Sequence, residues 1–133
     1  MNGSRERLMP GAAARRAAAE RRGRRAETWA GWLLRLKGYR VVARRWRGRA
    51  GEIDLIARRG RTLAMVEVKA RADLATAAGS LGAKGQARIA RAASEYLLGR
   101  PDLAGLEVRF DVVLASPGRL PRHLPDAWRP HTP

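Results

Sequence analysis

The stretch Gly51–Arg71, GEIDLIARRGRTLAMVEVKAR, carries the side chains of this sequence best suited to chemistry. Asp54 sits in one apolar run, Ile53–Arg58, and Glu67 and Lys69 sit in the next, Thr62–Ala70. Both runs read as strands, joined by the short connection Arg59-Gly60-Arg61. Glu67 and Lys69 are two residues apart, so they share a face about 7 Å apart along the strand. A two-residue Gly60-Arg61 loop, with Gly at its first central position, suits a type II′ turn. Arg59 then faces Thr62, and the same register sets Asp54 opposite Glu67, with alpha carbons roughly 5 Å apart. Strict alternation puts Asp54 on the face away from Ile53 and Leu55 and on the face of Glu52.

Carboxylates facing each other across strands repel. A divalent cation offsets that repulsion, and hard oxygen ligands suit Mg²⁺ or Mn²⁺. The chemistry such a patch could perform is phosphodiester hydrolysis, with Lys69 stabilising charge at phosphorus or orienting the attacking water. The alternative is a solvated hairpin on which Glu67 and Lys69 form a surface ion pair. Glu27 lies at the edge of an apolar helical stripe, as an inward-facing ligand or as the partner of Arg24. Glu52 is read as a supporting residue, an outer ligand or a cap of the preceding turn.

These residues need elements to position them. From about Glu20 to Lys37, Ala26, Trp29, Ala30, Leu33 and Leu36 recur at helical spacing, and Gly38 supplies a stop. Tyr39–Trp46 reads as a first strand and Arg47–Gly51 as a turn, followed by the two strands above. Residues 71–80 read as a loop. Leu81–Leu98 reads as a second helix, with Ile89, Ala92, Ala93, Tyr96 and Leu97 on one stripe. Glu107–Ala115 reads as the last strand. Helix, three strands, helix, strand predicts an α/β sandwich with a mixed sheet. The expected organisation is a disordered basic arm over residues 1–20, a domain over residues 21–116, and a Pro-rich tail over residues 117–133 that is extended and closes over the core.

Composition narrows the partners. The 133 residues include 28 basic and 12 acidic side chains, a formal net charge of +16. Such a balance suits a polyanion. There is no cysteine, which excludes a thiol nucleophile and a disulfide framework. No apolar run approaches the length of a membrane helix, and no secretory h-region is present, so a cytoplasmic protein with no membrane partner is expected. Lys84, Arg88 and Arg91 fall at i, i+4 and i+7 on the second helix, away from its apolar stripe. They form a basic ridge suited to phosphates. Arg71 directly follows the Glu67–Lys69 strand and is placed to meet the scissile strand. Aromatic residues are few, so backbone and shape recognition is expected. Trp29 and Trp32 are read as core or partner-facing rather than base-stacking.

The ordered set AETWAGWLL, GY, GEIDLIA, VEVKAR, a helix opening near Lys84, and RFDVV spans Ala26–Ala115 and resembles the YraN family of bacterial endonuclease-like proteins. That family in turn resembles archaeal Holliday-junction resolvases and the P-D-(D/E)-X-K nuclease superfamily. The resemblance implies a restriction-endonuclease-like core and a metal-dependent endonuclease acting on branched or damaged DNA, with Mg²⁺ or Mn²⁺ as cofactor and a homodimer as the working form. It matches Glu27 to the helix acid, Asp54 to the strand acid, and Glu67-Val68-Lys69 to the E-x-K motif. Ile53 stands where the classical motif has proline. A non-catalytic nucleic-acid-binding protein on the same scaffold is the competing reading. A third is an interaction protein whose basic arm docks an acidic partner or a membrane.

Overall fold

The apolar residues of the central strands alternate, so the sheet has two faces to cover, and one helix covers each. A computed structural model of the chain describes residues 11–69, 82–116 and 118–130. Its elements are α1 (Ala12–Leu36), β1 (Arg40–Arg47), β2 (Glu52–Arg59), β3 (Thr62–Lys69), α2 (Ala83–Leu98), a 3₁₀ turn (Pro101–Leu103), β4 (Glu107–Leu114) and β5 (Arg122–Trp128). The five strands lie in sequence order. β3 and β4 run parallel, connected through α2, and all other neighbours are antiparallel. Leu63 and Met65 of β3 pack with Ile89, Ala92, Ala93 and Tyr96 of α2. Ala64 and Val66, pointing the other way, pack with Ala30 and Leu34 of α1.

The α/β architecture with a mixed sheet is as expected, and so is the register of the central hairpin. Arg59 pairs with Thr62 and the ladder continues to Leu55 opposite Val66. Gly60 has a φ of 60° while Arg61 does not enter the left-handed region, the pattern of a type II′ turn. α1 ends as anticipated. Gly38 takes a φ of 92°, and the Tyr39 N–H returns to the Leu34 carbonyl at 2.9 Å.

Three expectations need correction. α1 begins at Ala12, not near Glu20, so residues 12–20 are helical where a disordered arm was expected. Apolar periodicity misses this segment because it has no large apolar side chain. Alanine and arginine are strong helix formers and need no buried face to continue a helix. The tail is extended and closes over the core as expected, and the second correction is that it also pairs as a strand. Residues 122–128 form β5, which lays Trp128 on Phe110, ring centroids 4.3 Å apart, and packs Leu124 with Val112 and Leu114. Pro125 concealed this strand from sequence reading, yet proline is compatible with an edge position. The third concerns Asp54 and is taken up below. The loop expected over residues 71–80 lies outside the described residues.

The turn between β1 and β2 is fastened to α2. Both carboxylate oxygens of Glu95 accept from the Arg49 N–H, at 3.0 and 2.8 Å. Gly48 makes room for this contact, since a Cβ there would overlap the Glu95 carboxylate and the Trp46 ring. Gly48→Ala is therefore expected to lower stability by about 1–3 kcal/mol through overpacking. Urea denaturation checks this, and an unchanged midpoint would mean the turn can shift without loss.

Candidate active site

Asp54 departs from regular strand geometry. Leu55 pairs with Arg44 and Ile53 with Trp46, but Asp54 and Arg45 between them make no regular pair. Arg45 has a φ of 48°, a left-handed conformation that is uncommon for a residue with a side chain. Ile53 and Leu55 consequently pack in different clusters, Ile53 with α2 and Leu55 with α1. The strict alternation expected around Asp54 is thus broken by a local distortion of the edge hairpin. Asp54 Oδ2 accepts the Val68 N–H at 2.8 Å, so a side-chain carboxylate takes an amide of β3 just beyond the last regular pair.

Burial pushes the Asp54 carboxyl up, and the charge of Glu67 pushes it further; Glu27 and Glu52 add smaller amounts. The Val68 N–H pulls the other way, and the net result is a pKa of about 7. Glu67 and Lys69 share a face as expected, with Lys69 Nζ 3.2 Å from Glu67 Oε1 and both side chains largely covered. Asp54, Glu67 and Lys69 are thereby brought into one patch on the two central strands.

Glu27 comes from α1, but its carboxylate is turned onto Arg45, with Oε2 accepting from Nε at 2.6 Å. Arg45 also senses the charges of Glu52 and Asp54, so this guanidinium acts as a counter-cation for the acidic patch. Among the described residues no group of three His, Asp or Glu side chains has metal-ligand spacing. Glu52 pairs with Arg47 at 3.1 Å across β1 and β2. Its supporting place is that cross-strand ion pair, while the acid that caps the turn is Glu95. Lys84, Arg88 and Arg91 are all exposed on α2, as the basic ridge requires. The Arg88 side chain lies over Gly51 in the β1–β2 turn. Arg71 lies outside the described residues.

A second polar cluster was not singled out from the sequence. Asp111 on β4 is fully buried. Arg109 donates to both its oxygens at 2.8 Å, His123 of β5 lies 2.7 Å away, and the Asp126 N–H donates at 2.9 Å. Arg109 also reaches the Tyr39 hydroxyl at 2.6 Å, and Lys37 Nζ lies 2.5 Å from His123 Nδ1. With Lys37 donating to Nδ1, Nε2 carries the proton given to Asp111. The GY and RFDVV motifs thus meet in space. The available signal was an Arg and an Asp two apart on one strand, which must share a face.

The arrangement defines a mixed α/β protein with an acidic pair and a lysine on neighbouring central strands, flanked by basic surface. No helix among the described residues is long and apolar enough to cross a membrane. Residues 26–115 match the model of Uncharacterised protein family UPF0102, and the chain belongs to this family, the one its motifs resemble. A UPF0102 protein of Parvibaculum lavamentivorans is 63% identical over 114 residues, covering 85% of each chain. One from Paramagnetospirillum magneticum is 55% identical over 116 residues, covering 84% of this chain and 90% of its own. One from Methylorubrum extorquens is 53% identical over 115 residues, covering 86% and 90%.

Proposed function

We propose that this protein hydrolyses phosphodiester bonds in nucleic acid, as a divalent-metal-dependent endonuclease with a restriction-endonuclease-like core. The observation that carries the reading is Asp54, partly buried beside Glu67, with its carboxyl pushed up to about 7. A partly buried pair of like charges is a standing electrostatic cost, and such pairs concentrate at functional sites. The donor set fits a hard cation. Asp54 and Glu67 would hold Mg²⁺ or Mn²⁺, with Glu27 joining if it leaves Arg45. A bound divalent ion supplies Lewis acidity and cancels the repulsion between the carboxylates.

The chain's own residues do the rest. Lys69, placed against Glu67, offers a point charge to a phosphate oxygen as negative charge accumulates there. The Val68 N–H fixes the orientation of the Asp54 carboxylate. Arg45 holds Glu27 and brings positive charge to the edge of the patch. Lys84, Arg88, Arg91 and Arg71 would carry the flanking phosphates of DNA. A homodimer cutting branched or damaged DNA in recombination or repair is the form the resolvase resemblance supports. The Glu27–Arg45 ion pair favours one competing reading, a nucleic-acid-binding scaffold without turnover, because it withholds the third acid.

Cleavage of a substrate panel separates the two. Supercoiled plasmid, single strand, flap and four-way junction are incubated with Mg²⁺ or Mn²⁺, alongside Asp54→Ala and Lys69→Ala proteins purified identically. Cutting by the wild type that is lost in both variants is the expected result. Tight binding without cutting by any of the proteins would favour the scaffold. Mn²⁺ is also expected to raise the melting temperature of the wild type and not that of Glu67→Gln. Equal stabilisation of both would move the ion elsewhere.

A further inference from the structure

The sequence reading places Trp29 and Trp32 in the core or against a partner rather than against bases, and their exposure removes the core and reopens the last option. They stand 62% and 56% exposed on the outer side of α1, one turn apart. Together with Arg24, Arg25 and Thr28 they line a surface groove. The Arg35 guanidinium lies 5.4 Å from the Trp32 ring centroid. Arg24 and Thr28 are also walls of a second groove, which continues to Glu27, Arg44, Arg45 and Leu55. Arg24 and Thr28 thus form the wall between the tryptophan groove and a neighbouring groove that holds the Glu27–Arg45 pair.

We infer that the tryptophan groove binds an unpaired nucleobase of a nucleic-acid strand, stacked on Trp29 or Trp32, with Arg24 and Arg25 on the flanking phosphates. The inference rests on the reading of the acidic patch as a phosphodiester site and deepens it. It adds a single-stranded or unstacked segment to the substrate. An aromatic face accepts any base, and arginine at its rim supplies both charge and cation–π contact. The charge argues against a second copy of the chain as occupant. A two-fold contact would bring Arg24, Arg25 and Arg35 against their own counterparts, on a chain whose net charge is already +16. The neighbouring groove, which holds the Glu27–Arg45 pair beside the acidic patch on the far side of Arg24 and Thr28, argues for a nucleic acid over a lipid surface.

The test is binding by the full chain in EDTA, so that no cleavage is required. A labelled single strand of roughly 12 nucleotides, within the usual site size, is compared with the blunt duplex of the same sequence. Trp29→Ala/Trp32→Ala is expected to weaken single-strand binding about 10- to 100-fold, the loss of one or two stacking contacts, and to leave duplex affinity unchanged. Trp29→Phe/Trp32→Phe should restore most of the affinity. Binding in EDTA is read without any cleavage, whatever the outcome of the cleavage panel, so failure here and failure of the hydrolytic reading are separate events. Equal loss on both nucleic acids, or loss on neither, overturns the inference. So does a shift from dimer to monomer in sedimentation that accompanies the alanine changes, which would assign the face to self-association. Loss of binding to phosphatidylserine vesicles, with oligonucleotide affinity intact, would assign it to a membrane surface and also overturn it.

Discussion

Asp111→Ala is expected to destabilise the fold by about 3–5 kcal/mol, the range for breaking one partner out of a buried ion pair. The carboxylate is fully buried and takes contacts from Arg109, His123 and the Asp126 amide. Removing it leaves the Arg109 guanidinium with the Tyr39 hydroxyl but without its counter-charge. It also frees β5, which Asp111 holds from two directions. The double variant Asp111→Ala/Arg109→Leu should recover part of the loss, because it no longer strands a charge. A urea-denaturation cycle measures both, and a single-variant loss below about 1 kcal/mol would mean that water replaces the carboxylate.

The same group gives a signed pH dependence. Burial pushes the Asp111 carboxyl up, but hydrogen bonds from Arg109, His123 and the Asp126 amide outweigh it and bring the pKa down to about 2. A carboxyl whose folded pKa lies below its unfolded value stabilises the fold at pH above the unfolded value, near 4. That contribution, about 2 kcal/mol, is lost as pH falls from 4 toward 2. Asp111→Asn should lose this part of the acid limb. The family match ends at residue 115, upstream of β5. A chain shortened there would lack His123 and the Asp126 amide, and the same buried carboxylate would unsettle it.

Asp54→Asn is expected to act in the opposite sense on stability while abolishing any hydrolysis. Asparagine keeps an acceptor for the Val68 N–H and removes the charge that burial and Glu67 both oppose. With the wild-type pKa near 7 and an unfolded value near 4, the unfolded chain releases this proton at lower pH than the folded one. Wild-type stability therefore falls as pH rises from 4 through 7, and the variant escapes that fall. The variant should melt higher at pH 8, and the difference should close below pH 4. Glu67→Gln should lower the Asp54 pKa and shift the acid limb of any cleavage profile to lower pH. A lower melting temperature for Asp54→Asn at pH 8 would mean that the charge is already compensated.

The sequence was legible where one local rule sufficed. The Gly60 turn set the register of β2 against β3 from Arg59–Thr62 to Leu55–Val66, but the expected facing pair of Asp54 and Glu67 lies beyond that ladder, where Asp54 takes the Val68 N–H. Helical spacing found the buried stripe of α2, and Gly38 found the end of α1. It failed where partners are remote in the chain. Asp111 is satisfied by residues 12 and 15 positions away and, through Arg109, by Tyr39, 70 positions from it. No local pattern carries that information. The Arg45–Asp54 distortion was also hidden, because alternation describes a regular ladder and this one is interrupted. Glu27 illustrates the limit of motif reasoning. The helix acid is where the pattern puts it, yet its carboxylate is turned onto an arginine that the pattern does not mention.

The two borders of the sheet carry a further consequence. The outer strand β1 exposes Arg40, Arg44, Arg45 and Arg47, and the opposite outer strand β5 exposes Pro125 and an Asp126 with φ of 52°. An incoming chain would meet a row of like charges on one side, and on the other a missing amide and a twisted backbone. Neither border offers a template for adding a strand. At high protein concentration, neighbouring copies are thus kept from fusing into continuous sheets, and crowding need not lead to fibrils.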